Sequence, residues 1–184
     1  MCTDGSIPYV AVTDESGYIK KDLQPAKVLC LTVTNEYART SNPLPGMTND
    51  SDKLEALLAG FAQVTKLKNS AATKSAVKSK ITEMISTLES SYGDEGLFIF
   101  HDGGHGGNDE RSDAQYMCLY DGNLYDYEFW ELVKSARCRI MAIFCTCHSG
   151  TMFRAPSLDE FNNRKMLMAD SSSSGGEDDD SILK

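Results

Sequence analysis

Three short apolar runs constrain this chain more than any other feature. They are residues 27–34 (Lys-Val-Leu-Cys-Leu-Thr-Val-Thr), 97–100 (Leu-Phe-Ile-Phe) and 140–144 (Ile-Met-Ala-Ile-Phe). Each is too short for a core helix, is rich in β-branched or aromatic residues and lacks the alternation of a half-solvated strand, so each is predicted to be a strand buried on both faces. Strands of that kind belong to parallel sheets, whose connections must cross over through helices. The intervening sequence supplies such helices. One is expected to start near Ser51 or Asp52, with Leu54, Leu57, Leu58 and Phe61 at helical spacing. A second is expected over 71–90, with Val77, Ile81, Met84, Ile85 and Leu88 as its stripe and Gly93 as its stop. A third, over 127–135, follows Asp126 as cap. Residues 115–120 read as a small strand or hairpin arm turning at Asp121-Gly122, and 165–169 as a last short strand. The order strand, helix, helix, strand, helix, strand defines an α/β fold with a mostly parallel central sheet flanked by helices.

The flanks differ in composition. Residues 1–26 read as an N-terminal arm with a short strand at 9–12, and 170–184 as an acidic, Ser/Gly-rich surface segment. The 184 residues carry a net charge of −9, which disfavours a nucleic-acid partner. The one basic patch is Lys66, Lys68, Lys74, Lys78 and Lys80, with no acid between Ala56 and Thr82. It reads as a solvated helix face or, alternatively, as a ligand surface. No run approaches the ~18 apolar residues of a membrane span, and no apolar segment follows the first four residues as a secretory leader would. The six cysteines, Cys2, Cys30, Cys118, Cys138, Cys145 and Cys147, are therefore expected to be reduced thiols of a cytoplasmic protein.

Two glycine-flanked polar clusters stand directly after two of the apolar runs. One is His-Asp-Gly-Gly-His-Gly-Gly at 101–107, the other Cys-Thr-Cys-His-Ser-Gly at 145–150. Ligands of open parallel sheets bind off the carboxyl ends of the strands, so neighbouring strands would bring these clusters to one rim. One offers an imidazole and the other a thiol, the pair a cysteine nucleophile needs. Each residue also has a plainer reading. Cys147 alone reads as a small buried thiol, His105 as a turn histidine and Asp50 as a neighbour of a helix N-cap. His101 and His148 read as structural or rim residues. Cys145 reads as a resolving thiol or a metal ligand, although Cys145 and Cys147 are poorly spaced for a disulfide.

Taken in order, three segments resemble the caspase-like cysteine peptidases, metacaspases in particular. The first is 28–33 with Leu44-Pro45-Gly46-Met47-Thr48-Asn49-Asp50 and the helix carrying Leu54 and Leu58. The second is Phe98-Ile99-Phe100 with Gly104-His105-Gly106, and the third is Ile143-Phe144-Cys145-Thr146-Cys147-His148-Ser149-Gly150. The resemblance covers residues 27–169 and implies a caspase-hemoglobinase fold, in which this stretch is the catalytic, large-subunit-like domain. It implies Cys147 as nucleophile, His105 as proton carrier, and the backbone N–H groups of Gly106 and Cys147 as the oxyanion hole. It implies Asp50 as a carboxylate lining a pocket for a basic P1 side chain. The family's partner acid stands two residues before the nucleophile, where this chain has Cys145, which weakens a guanidinium clamp. The chemistry calls for no cofactor. The resemblance permits Ca²⁺ as an activator, and Asn108, Asp109, Glu110 and Asp113 supply oxygen ligands after His105, or are simply an acidic surface loop. Metal-site residues are otherwise unassigned. Substrates would be proteins or peptides. The family's sheet has six strands, of which about five are legible here, so the last strand is expected to be lacking. That leaves three readings: a large-subunit fragment needing a small-subunit or self-association partner, a minimal complete member, or a non-catalytic interaction module.

Overall fold

The computed structural model describes residues 25–109, 111–112 and 114–146, and the backbone alone of Met166–Asp170. The expected arm at 1–26, the strand at 9–12 and the acidic segment beyond Asp170 lie outside the described residues, apart from a single helical turn at Pro25–Lys27.

The three apolar runs form strands β1 (Val28–Thr34), β3 (Leu97–Gly103) and β7 (Arg139–Cys145). They lie side by side in parallel, with Thr34, Gly103 and Cys145 in one register row at their carboxyl ends. Strands β2 (Gln63–Lys68) and β8 (Met166–Asp170) extend the sheet on either side, giving the order β2-β1-β3-β7-β8 with every pairing parallel. Helix α1 (Thr48–Leu58) covers one face. Its Leu58 joins Val28, Cys30, Leu97 and Ile99 in a small apolar cluster, with Leu54 packed against it. Helices α2 (Lys74–Tyr92) and α3 (Asp126–Val133) cover the other face, over a larger core that includes Leu31, Val33, Phe98, Phe100, Phe129 and Phe144. Burial of both faces is why all seven residues of β1 and of β3 are buried. A small antiparallel sheet, β4 (Gly106–Asp109), β5 (Ala114–Cys118) and β6 (Asn123–Tyr125), links β3 to α3. Among the described residues no helix is long and apolar enough to cross a membrane.

The five expected core residues of α2 are those it buries, Thr73 caps its start through Ala76 N, and Gly93 ends it at φ +59°. Other expectations need correction. Helix α1 starts at Thr48, ahead of Ser51, and its Leu57 and Phe61 beyond its end are exposed, because of the four expected apolar residues Leu54 and Leu58 face the sheet. Helix α2 runs 74–92 rather than 71–90. Helix α3 ends at Val133, and its Asp126 sits inside the first turn. There Glu128 Oε2 accepts from Tyr125 N at 3.2 Å, and Asp126 Oδ2 accepts from Gln115 N at 3.3 Å, tying the helix to β5.

Strand β2 was not expected. Its Gln-Val-Thr-Lys-Leu-Lys alternates faces: Val64 packs toward α1 and Leu67 toward the α2 core. Lys66 lies with Val64 on the α1 side, where Asp52 and Glu55 receive it, and Lys68 also reaches Asp52, at 2.7 Å. Lys74 and Lys78 pair with Glu128, and Lys80 with Glu83. The lysine patch is therefore partly a strand and is matched by acids, most of them distant in sequence, which leaves little charge for an anionic ligand.

Candidate active site

The carboxyl ends of β1, β3 and β7 form the rim. Asn35 N donates to Gly103 O at 3.1 Å, carrying the β1–β3 pairing one residue past the strand. The chain then diverges from both strands. From β3 it turns through Gly104 and His105 into β4, and from β1 it enters a loop that leads to α1.

His105 is half-buried and held from several directions. Its Nε2 lies 2.7 Å from the carbonyl oxygen of Asn42. A carbonyl only accepts, so Nε2 carries a proton, and Nδ1 is left as the nitrogen that can take one up. The backbone N–H of His105 donates to Tyr37 Oη at 3.0 Å, and its carbonyl accepts from Cys118 N at 2.8 Å. The Tyr37 hydroxyl donates to Cys118 O, and its ring lies 4.6 Å from the imidazole, centroid to centroid. Burial pushes the Tyr37 phenol above its ordinary range, so it stays protonated and can donate.

The loop that brings Asn42 to His105 is fixed by Glu36. The carboxylate Oε1 accepts from Thr48 Oγ1 at 2.8 Å and from Gly46 N at 3.1 Å, and Leu44 N donates to Glu36 O at 2.7 Å. The Thr48 hydroxyl, helped by the N–H of Gly46, holds this carboxyl below the usual carboxylate range. Two glycines admit the loop. A Cβ on Gly104 would stand 2.6 Å from Tyr37 Oη, and one on Gly103 would meet Met47 Sδ at 3.0 Å and Thr34 Cγ2 at 3.2 Å.

On the α1 face of the rim sit Asp50 and His101. Asp50 is in the first turn of α1, half-exposed, with Lys53 Nζ at 3.3 Å. His101 is buried in β3. Burial pulls its pKa down to about 4, against the opposing pull of the Asp50 charge, so it is neutral at pH 7. Its neighbour Asp102 faces the other side, fully buried, with no hydrogen-bond partner for Oδ2 among the described residues, and burial pushes it up to about 8. Burial also raises the thiols of Cys30 to about 12 and Cys138 to about 11, and holds Cys118 above its ordinary value.

Cys145 ends β7, half-buried, in register with Gly103. Gly106 opens β4 opposite Met117. Cys147 and His148 lie outside the described residues. So do Glu110 and Asp113 of the expected calcium loop. Asp109 there closes its own turn, accepting from Arg111 N at 3.0 Å. Among the described residues no group of three or more His, Cys, Asp or Glu side chains is gathered to hold a metal. Sequence reasoning missed Tyr37, Asn42 and Asp102. Asn42 acts through its backbone carbonyl, which no side chain announces, and Tyr37 meets His105 only after 68 residues of chain have folded.

The arrangement is an α/β protein with a parallel sheet and a carbonyl-anchored histidine at the rim where β3 ends in glycines. Residues 27–180 match the family model of the caspase domain, peptidase family C14, and the chain belongs to that family. No curated protein matches the chain. Among solved structures it is similar to protein GSU0716 from Geobacter sulfurreducens, at 24% identity and a TM-score of 0.53, covering 77% of this chain and 57% of that one. The likeness is one of fold, and the chain spans little more than half the length of that protein.

Proposed function

We propose that this chain is a cysteine endopeptidase in which Cys147 and His105 form the catalytic pair. The observation that carries the reading is the register of Gly103 with Cys145, because the chain two residues on from each holds His105 and Cys147. His105 Nδ1 would take the thiol proton as sulfur attacks the scissile carbonyl, while Asn42 O holds the Nε2–H and steadies the imidazolium. The same proton then passes to the leaving amine, and water hydrolyses the acyl-enzyme. The N–H groups of Gly106 and Cys147 would receive the developing oxyanion, a contribution of ~3 kcal/mol for each donor.

Asp50 and the neutral His101 favour a basic P1 side chain. With a thiol at 145 the carboxylate acts alone, so a preference for Arg or Lys over neutral residues should be graded rather than absolute. Calcium enters this reading only as an activator, through no step of the chemistry. A second reading has one observation behind it: no strand lies beyond β8 among the described residues. On that reading a second copy or a small-subunit-like partner would pair along β8 and complete the pocket.

The test is turnover of fluorogenic peptides with Arg, Lys, Asp, Gln or Leu at P1, with and without calcium, beside Cys147→Ala and His105→Ala. Turnover lost in both variants and best with a basic P1 is expected. No turnover at any P1, with Cys147 also inert to iodoacetamide at neutral pH, would sink the peptidase reading and leave the interaction module.

A further inference from the structure

Tyr37 stands in a conformation its surroundings must impose. Its φ is +51°, the left-handed region that a bulky side chain rarely adopts. Such strain persists where neighbouring structure over-determines it, and it gathers at functional sites. Here the over-determination is visible. The hydroxyl accepts from His105 N, donates to Cys118 O, and occupies the space that a side chain on residue 104 would fill. The ring meanwhile lies against the imidazole with its plane tilted by 36°. One residue thus fixes both the backbone position of the His105 turn and the orientation of its ring.

We propose that Tyr37 is the positioning residue for His105, its hydroxyl setting the height of the turn over Gly104 and its ring setting the imidazole plane that Asn42 O completes. The functional meaning rests on the peptidase reading; the geometry does not. The hydroxyl acts at once as donor and as acceptor, which neither Phe nor a small residue reproduces. In Tyr37→Phe His105 N and Cys118 O would both lose this partner, beside an Asp102 Oδ2 that has none among the described residues. The buried turn would then be free to move, and a displacement of about 1 Å in a proton carrier is enough to cost on the order of a hundredfold in rate.

The experiment is chosen so that it does not depend on turnover. The chain has three histidines, so its ring Cε1–H resonances are three, assigned by the one lost in His105→Gln. In Tyr37→Phe the His105 resonance is expected to move while that of His101 stays in place. Where a substrate is turned over, kcat should fall on the order of tenfold with KM within about twofold, since the loss is of orientation rather than of binding. Gly104→Ala, which forces the hydroxyl aside while leaving residue 37 a tyrosine, should move the same resonance, and it carries the test if Tyr37→Phe does not fold. A purely structural role would lower the folded fraction and leave the resonance of the folded protein where it was. A His105 resonance unmoved in a folded variant overturns the proposal, whatever the turnover does. Absence of turnover in the parent chain counts against the peptidase reading alone.

Discussion

The carbonyl oxygen of Asn42 and Nε2 of His105 lie 2.7 Å apart, across 63 residues of sequence. The contact uses the backbone of residue 42, so on the proposed peptidase reading Asn42→Ala should leave peptide turnover within about threefold of the parent. Removing one residue from the loop between Arg39 and Asn42 withdraws the carbonyl and should lower kcat on the order of tenfold or more. Steady-state kinetics on the two variants check this, and equal losses in both would place the role in the Asn42 side chain instead.

Stability should fall as pH rises above about 6.5. Asp102 is raised to about 8 from an ordinary 3.8, so the fold keeps a proton that the unfolded chain releases, and that stabilisation is lost as pH climbs toward 8. His101 is lowered from 6.5 to about 4, and its contribution is lost as pH drops through that window. Between 4 and 6.5 the two slopes oppose each other. Above 6.5 Asp102 sets the slope among the described residues, at most about 1.4 kcal/mol per pH unit. Urea midpoints at pH 6.5 and 8 for the parent and Asp102→Asn measure it; the variant should show the smaller drop.

Ser51 in α1 is buried between two hydroxyls of β1, bonded to Thr32 Oγ1 and, at 2.9 Å, to Thr34 Oγ1. Ser51→Ala strands both and should cost about 1–3 kcal/mol. Replacing Thr32 and Thr34 by Val in the same chain removes the stranded groups and should restore much of that loss, as denaturant unfolding would show.

Cys30, Cys118 and Cys138 should resist iodoacetamide at pH 7 in the folded protein and react on unfolding. Burial holds all three thiols above their ordinary value, which leaves little thiolate to attack. Peptide mapping by mass spectrometry after a timed pulse gives the result directly. Fast labelling of any of the three would mean that its part of the core opens readily.

The central strands were legible because burial on both faces leaves an unbroken apolar run, and the stripe of α2 because five apolar residues repeat at helical spacing. Strand β2 was not, since an edge strand needs one partner only and presents lysines to acids supplied by α1. The site divides in the same way. His105 stands out in sequence because glycines flank it. Tyr37 and Asp102 do not: the first acts by meeting a distant turn, and the second carries an acid into a strand that otherwise reads as glycine-rich rim.

Gly103 and Gly104 leave bare backbone on opposite faces of the sheet, and the same loop fills both gaps, with Met47 on one side and Tyr37 on the other. The segment from 37 to 47 straddles the end of β3 like a clothes peg. Its length therefore sets two distances together, that of the imidazole from its partners and that of the α1 side chains from the opposite surface. On the proposed peptidase reading, grafting a longer or shorter loop there would retune acid–base chemistry and side-chain selection in one stroke, so the two properties should be inherited as a pair.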